Sequence, residues 1–358
     1  MLRKVFYLLL LSLFCIDLTG QWYYTSVLPN LSDQALLDGL VDNYKPNNVL
    51  DYGAARDVLY SEIYNVNDTV SGIYTDHQLY LDPTAQPREF LFMNGEANGI
   101  NCEHSYPRSK GADNGNGRSD MHHLFPSRVF VNNARGSKPF GEIQDQLTDD
   151  WFYQEFQQGN IPGSSQIDLY SENTSSQFEP RESVKGNVAR AIMYFYTMYQ
   201  DEADAADPNF FEAQKETLCQ WHFLDPIDSL EYFRSLDIAE YQEDKANPFV
   251  LDCSVATRTF CGTITSVACD NTVSTNEPTQ LLEFQLFPNP SSSSFDLSFA
   301  ERHKKVNLEI LNLMGQQLMN LSFVEQQNIH VIHKLPSGSY FSKISIEGAI
   351  RIEKFVVY

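Results

Sequence analysis

Apolar residues recur at helical spacing through much of the first 250 positions and at strand spacing near the end of the chain. Ala35, Leu36, Leu37, Leu40 and Val41 follow Ser32-Asp33, a pair able to cap a helix start, so the pattern predicts a helix here. A second helical pattern runs through Ala54, Ala55, Val58, Leu59 and Ile63. Gly72-Ile73-Tyr74 and Leu79-Tyr80-Leu81 read as short strands. The clearest helix covers residues 182–199, where Val184, Val188, Ala191, Ile192, Phe195 and Tyr199 recur at helical spacing. Residues 207–234 read as two helices broken at Pro226, and Asn247-Pro248-Phe249 ends this regular part.

After Cys253 the character changes. Thr, Ser, Val and Asn dominate to residue 280, as in a linker. From Phe284 short alternating runs follow one another: Phe295-Asp296-Leu297, 306–311, His330-Val331-Ile332, 340–346 and 354–358. Turn signals at Met314-Gly315, Leu335-Pro336-Ser337-Gly338 and Glu347-Gly348 separate them, which predicts a small all-β sandwich. At the other end, Arg3 and Lys4 precede the twelve-residue apolar run 5–16, and Gly20-Gln21 offers a cleavage point. A run of that length is too short to span a bilayer, so residues 1–20 read as a secretory signal peptide. Cys15 raises a lipoprotein alternative, with Ser12-Leu13-Phe14 a poor lipobox. No later stretch is apolar enough to predict a membrane-spanning helix, and no stable membrane insertion is expected.

Export changes how the cysteines read. Cys102, Cys219, Cys253, Cys261 and Cys269 remain after signal removal, and in an oxidising compartment they predict disulfides with one thiol left over. The eight-residue steps between 253, 261 and 269 are too wide for a zinc ribbon and suit a disulfide-tied loop. The formal charge of −22 argues against a uniformly phosphate-attracting surface. It is unevenly spread: residues 201–252 carry 14 acidic and 3 basic side chains, whereas residues 101–140 carry 3 acidic and 6 basic ones.

That basic stretch also holds the candidate chemistry. Cys102-Glu103-His104-Ser105-Tyr106-Pro107, Asp120-Met121-His122-His123-Leu124-Phe125-Pro126 and Val131-Asn132-Asn133-Ala134-Arg135-Gly136 bring carboxylate, imidazole, amide and guanidinium groups within 40 residues, with a glycine-rich loop at 111–117. Phosphodiester hydrolysis needs such a set: a base for water, a cation at the leaving oxygen and positive groups on the phosphate. Neighbours on a strand point to opposite faces, so Glu103 and His104 need a twist or bulge to serve one site. Asp120 and His122 would share one strand face, Met121 and His123 the other. Pro126-Ser127 then opens a helix through Asn132. On it Arg135, three residues on, shares the face of Asn132 and could grip a phosphate bidentately, with Arg118 a second candidate.

The order of these segments closely resembles the endonuclease I family of ββα-metal (His-Me finger) nucleases. Phe178-Glu179-Pro180, Val184-Lys185-Gly186-Asn187-Val188-Ala189-Arg190, Gln220-Trp221-His222, Asp225-Pro226-Ile227-Asp228 and Asn247-Pro248-Phe249 extend the resemblance, with Asn187 where Asp is usual and Glu243-Asp244-Lys245-Ala246 where Gly-Asn-Arg is usual. The resemblance implies His104 as general base, Glu103 and Asn132 as metal ligands, and His122 as a hydrogen-bonding support, with Asn133 the alternative to Asn132. One carboxylate and one amide oxygen suit Mg²⁺, with Mn²⁺ or Ca²⁺ as substitutes. It also implies a sequence-nonspecific endonuclease, acting as a monomer on DNA and also RNA and leaving 5′-phosphates. Lys185 and Arg190 could face substrate or serve packing and ion pairing.

The tail resembles the sorting domain of type IX secretion substrates, through Phe287-Pro288-Asn289-Pro290, Gly315, Leu335-Pro336-Ser337-Gly338-Ser339-Tyr340 and Lys354-Phe355-Val356-Val357. A generic carbohydrate-binding or adhesive β-domain is its alternative. The expected architecture is α+β: a signal peptide at 1–20, a mostly helical catalytic domain with an embedded ββα-metal motif at 21–252, a Cys-containing Thr/Ser-rich linker at 253–283 and a sandwich sorting domain at 284–358. The expected destination, by way of the periplasm, is the medium or the cell surface, with the type IX machinery as partner. Two rival readings stay open: a non-enzymatic surface or adhesive protein with a degenerate nuclease domain, and a secreted zinc hydrolase.

Overall fold

A computed structural model describes residues 25–93, 96–262, 284–311, 317–346 and 349–358. The expected signal peptide and residues 263–283 of the expected linker lie outside the described residues. The chain opens with α1 (Asp33–Tyr44), whose Leu36 and Leu40 are buried; Ser32 precedes it without making a side-chain cap bond. Helix α2 (Tyr52–Val58) is capped by Asp51, which accepts from the backbone of Gly53 and Ala54, and it runs on into a π-helical turn over Leu59–Ile63. Strands β1 (Thr69–Ser71) and β2 (Gln78–Tyr80) pair antiparallel. The expected first strand at Gly72 starts three residues earlier, because the Gly72 amide bonds to His77 O and so closes the turn. Helix α3 (Pro87–Met93), for which the periodicity gave no signal, follows.

Strands β3 (Ile100–His104) and β4 (Leu124–Arg128) form a two-stranded antiparallel hairpin that leads directly into α4 (Val129–Arg135). The sheet β6-β5-β7-β8, from β5 (Asp150–Tyr153), β6 (Phe156–Gln158), β7 (Ser171–Asn173) and β8 (Phe178–Glu179), was also not foreseen. Its strands are two to four residues long, too short for alternation to register.

Helix α5 (Lys185–Met198) is the pillar of this unit. Nearly every residue on it is buried, as expected of a helix that is apolar around most of its circumference. Next come α6 (Gln200–Ala206), α7 (Lys215–Leu224), α8 (Ser229–Ala239), α9 (Pro248–Leu251) and α10 (Ser254–Thr259). The break between α7 and α8 falls around Pro226 as expected, whereas Asn247-Pro248 opens a helix, Asn247 capping it through the Phe249 amide. A disulfide joins Cys219 on α7 to Cys261 just past α10, and Cys253 is also disulfide-bonded. Cys102 is a free, buried thiol.

The tail holds β9 (Phe284–Phe287), β10 (Ser294–Leu311), β11 (Gln317–Ile332), β12 (Gly338–Ile346) and β13 (Ala349–Val357) in one sheet, ordered β11-β10-β12-β13 with β9 also on β10. The β10–β11 register shifts between Ser298 and His303, where the ladder bends. One half of β10 pairs with β9 and the other with β12, so a single curled sheet supplies both layers around Phe295, Leu297, Leu308 and Phe355. Phe341 of β12 stacks on Phe233 of α8 at 3.6 Å, with Leu311 beside them.

Candidate active site

The β3–β4 pairing is regular from Ile100↔Arg128 to His104↔Leu124, with no bulge. Glu103 and His104 nonetheless line the same cleft, of about 890 Å³. The two-stranded sheet leaves the far edge of β3 unpaired, and Ile100 through His104 all border the cleft along it. Neighbouring side chains on opposite faces therefore reach one site from an edge, and the twist or bulge expected from the sequence is not needed. Beyond the strand, Ser105 continues the ladder by donating its amide and hydroxyl to His123 O.

His104 is nearly buried, and its Nε2 lies 3.0 Å from Arg118 O. A carbonyl only accepts, so Nε2 carries the hydrogen and the neutral ring leaves Nδ1 as an acceptor. Nδ1 has no protein partner among the described residues. Burial, and after it the Arg108, Arg118 and Arg135 charges, push the His104 pKa down to about 4 against the help of that carbonyl. Tyr52 and His123 pack against the ring, at 5.3 and 5.4 Å between centroids.

Glu103 is buried, and burial raises its pKa against the opposing pull of Arg135 and Tyr74. Its Oε1 accepts from Tyr74 OH at 2.6 Å and lies 3.2 Å from Arg135 Nη1. Oε2 has no partner among the described residues. Asn132, on the first turn of α4, donates Nδ2 to Asn101 Oδ1 at 2.8 Å and to Cys102 O at 3.2 Å. With the amide nitrogen tied to the hairpin, Oδ1 is left as a free acceptor. Glu103, Asn132 and the more exposed Asn133 all line the cleft. One carboxylate oxygen and one amide oxygen in the same cleft are a donor set that fits a hard divalent cation with water completing the shell. No group of three or more His, Cys, Asp or Glu able to hold a metal occurs among the described residues.

Arg135 sits differently from the sequence expectation. It is wholly buried, its Nη1 donates to His104 O and Gly136 O, its Nη2 to Ser105 O at 2.7 Å, and its guanidinium lies over Phe140. It holds the strand end and Glu103 from behind rather than reaching a phosphate. The expected strand from Asp120 is also corrected: Met121–His123 form a 3₁₀ turn capped by Asp120, and Ser127 belongs to β4, with α4 starting at Val129. A turn does not alternate faces, and His122 points away from the cleft with Nε2 2.7 Å from Lys245 O. Asp120 is occupied by Tyr194, Tyr199 and Gln242. Arg118 contributes its carbonyl to His104, while its guanidinium lies over Tyr52 at 5.1 Å. Lys185 pairs with Glu142, Glu179 and Glu182, and Arg190 forks onto Glu231, so both are ion-paired in the framework.

The cleft has positive groups that sequence reasoning missed. Arg56 of α2, Arg88 of α3 and Arg108 after β3 line it, against Glu89 and Glu103. Arg88 is paired with Asp57 and Arg108 with Asp113, whereas Arg56 has no carboxylate partner among the described residues and lies over Tyr52 at 4.2 Å. The sequence signal for Arg56 is slight, a single basic position next to Asp57 in the pattern of α2. Of the three, Arg56 is thus the cleft arginine without a carboxylate partner among the described residues.

An antiparallel strand pair runs into a helix, and an edge histidine, a neighbouring carboxylate and a helix amide meet on one cleft, a ββα arrangement. The Endonuclease I family model matches residues 36–253, and the chain belongs to that family. A second model, the secretion system C-terminal sorting domain, matches residues 285–358, and a chain with this tail is a secreted or cell-surface protein. Among curated relatives, an extracellular ribonuclease of Bacillus subtilis (strain 168) is 27% identical over 205 residues, covering 53% of this chain and 65% of the relative. An extracellular ribonuclease of Bacillus amyloliquefaciens is 28% identical over the same length, covering 53% and 64%. The chain thus spans just under two thirds of the length of these relatives. Among the described residues no helix is long and apolar enough to cross a membrane.

Proposed function

We propose that this protein is an exported, Mg²⁺-dependent, sequence-nonspecific nuclease that hydrolyses phosphodiester bonds in DNA and RNA and leaves 5′-phosphates. The observation that carries the reading is His104: a neutral imidazole whose Nε2–H is fixed on Arg118 O and whose Nδ1 has no partner among the described residues, in a cleft that Arg56, Arg88 and Arg108 also line. Nδ1 takes a proton from water as the water oxygen bonds to phosphorus, and the bond from phosphorus to the 3′-oxygen breaks. Tyr52 and His123 hold the ring in place, and Arg56, which has no carboxylate partner among the described residues, takes the charge of the phosphate. Glu103 and Asn132 would hold the metal, which when bound supplies positive charge at the departing oxygen. Contacts directed at phosphates carry no sequence information, which supports low specificity. The relatives' names, extracellular ribonucleases, support RNA among the substrates. The tail would hand the chain to the type IX export machinery, and the enzyme would act as a monomer.

The test is digestion of plasmid DNA and of RNA by the purified protein, with magnesium and with chelator. Cleavage that chelator abolishes is expected, and His104→Ala should lower turnover by about 10²–10⁴-fold. A folded His104→Ala protein that cuts normally would remove His104 from the mechanism.

A further inference from the structure

Helix α3 is apolar on two sides. Leu91 is fully buried and Phe90 packs against the same core, but Phe92 and Met93 are 50% and 77% exposed and both line the cleft that holds His104. Phe92 makes no ring contact among the described residues, and Arg88, four positions earlier, shares its helix face. Opposite in character stands Arg56, a cleft cation without a carboxylate partner among the described residues. An exposed aromatic face in the same cleft as a guanidinium with no carboxylate partner among the described residues suits a ligand that carries both a flat apolar ring and a negative charge.

Nucleotides have that combination, but their pairing state decides whether the ring is available. In a duplex each base is covered on both faces by its neighbours, whereas an unpaired base can leave the stack and lie on an aromatic side chain. We infer that Phe92, flanked by Met93, is a stacking platform for an unpaired base next to the scissile phosphate, with Arg56 on the flanking phosphate, and that it makes single-stranded nucleic acid the preferred ligand. This rests on the nuclease reading and names the substrate form that the same cleft takes.

Fluorescence anisotropy of a labelled single-stranded oligonucleotide, and of the duplex of the same sequence, tests it with chelator present so that cleavage does not compete. The unaltered protein should bind the single strand more tightly. Phe92→Ala should weaken single-strand binding on the order of ten-fold and leave duplex binding within about two-fold, while Phe92→Trp keeps the preference. Because Phe92 is half exposed, the alanine variant should fold, and thermal melting verifies this. Equal losses on both ligands, or no loss on the single strand, would overturn the platform. If the unaltered protein with magnesium cuts neither nucleic acid, the nuclease reading itself fails and takes the platform with it. Cutting by a protein whose Phe92→Ala variant binds normally removes the platform alone.

Discussion

Arg135 shows how a residue can matter to a site without reaching it. Its guanidinium is buried with Glu103 and three backbone carbonyls, and the partners are desolvated together. Removing one member of a buried ion pair leaves the other uncompensated and costs about 3–5 kcal/mol. Arg135→Ala should therefore lower thermal stability by that order, measurable by denaturant unfolding, and a variant as stable as the parent would contradict this placement. Asn132 and Asn133 make a sharper comparison, because both border the cleft and only Asn132 is tied to the hairpin. Asn132→Ala should raise the magnesium concentration needed for half-maximal cleavage, and Asn133→Ala should hardly move it. The reverse order would shift the ligand by one residue. The motif names Glu103, His104 and Asn132, which the fold brings to one cleft, but it does not tell Arg135 from Arg56: both are arginines near apolar residues, and only the packing decides which one is enclosed.

The excursion between β3 and β4 carries the carbonyl that orients His104, so its shape is part of the site. Gly111, in this excursion, has φ +127°, and an added Cβ would lie 2.8 Å from Ala203 Cα on α6. Neither the backbone angle nor the space accepts a side chain. Gly111→Ala should cost on the order of 1–3 kcal/mol and loosen the excursion, seen as a lower melting temperature and faster amide exchange over residues 105–123. Unchanged exchange there would show that the loop accommodates the methyl. Elements with a long period were readable in advance: α1, α5 and the alternating tail stand close to where the pattern put them. The 3₁₀ turn at Met121–His123 and the four-stranded sheet were not. The turn is made by Asp120 capping and tertiary bonds from Tyr194 and Tyr199, partners about 75 residues away that no local pattern contains.

For the whole molecule, the buried titratable groups set an acid–base balance of stability. Burial holds His122 at about 4 and His222 at about 3, each with Nε2 on a backbone carbonyl. Both are lowered from the unfolded value, so unfolding takes up protons and their contribution is lost as pH falls from about 6.5 toward those values, by up to about 1.4 kcal/mol per pH unit each. Burial raises Glu172 to about 7 and Asp225 to about 6, which has the opposite sign: their contribution is present in acid and lost as pH rises through those values. The two sets oppose one another between about pH 4.5 and 6.5; below that range the carboxyls are protonated in both states and the histidines act alone. Melting temperature should be flat near pH 5–6, lower above pH 7 and falling steeply below about 4.5. His222→Gln should flatten the acid limb, and an unaltered limb would show that His222 is not one of the groups responsible.

The bond between Cys219 and Cys261 closes a loop of 42 residues, for which the chain-entropy account gives roughly 4 kcal/mol. Before export that cross-link is absent, because the cytosol keeps thiols reduced. The producing cell therefore handles the chain in its weaker form. The chain gains its full resistance to unfolding only once it has left the reducing compartment in which it is made.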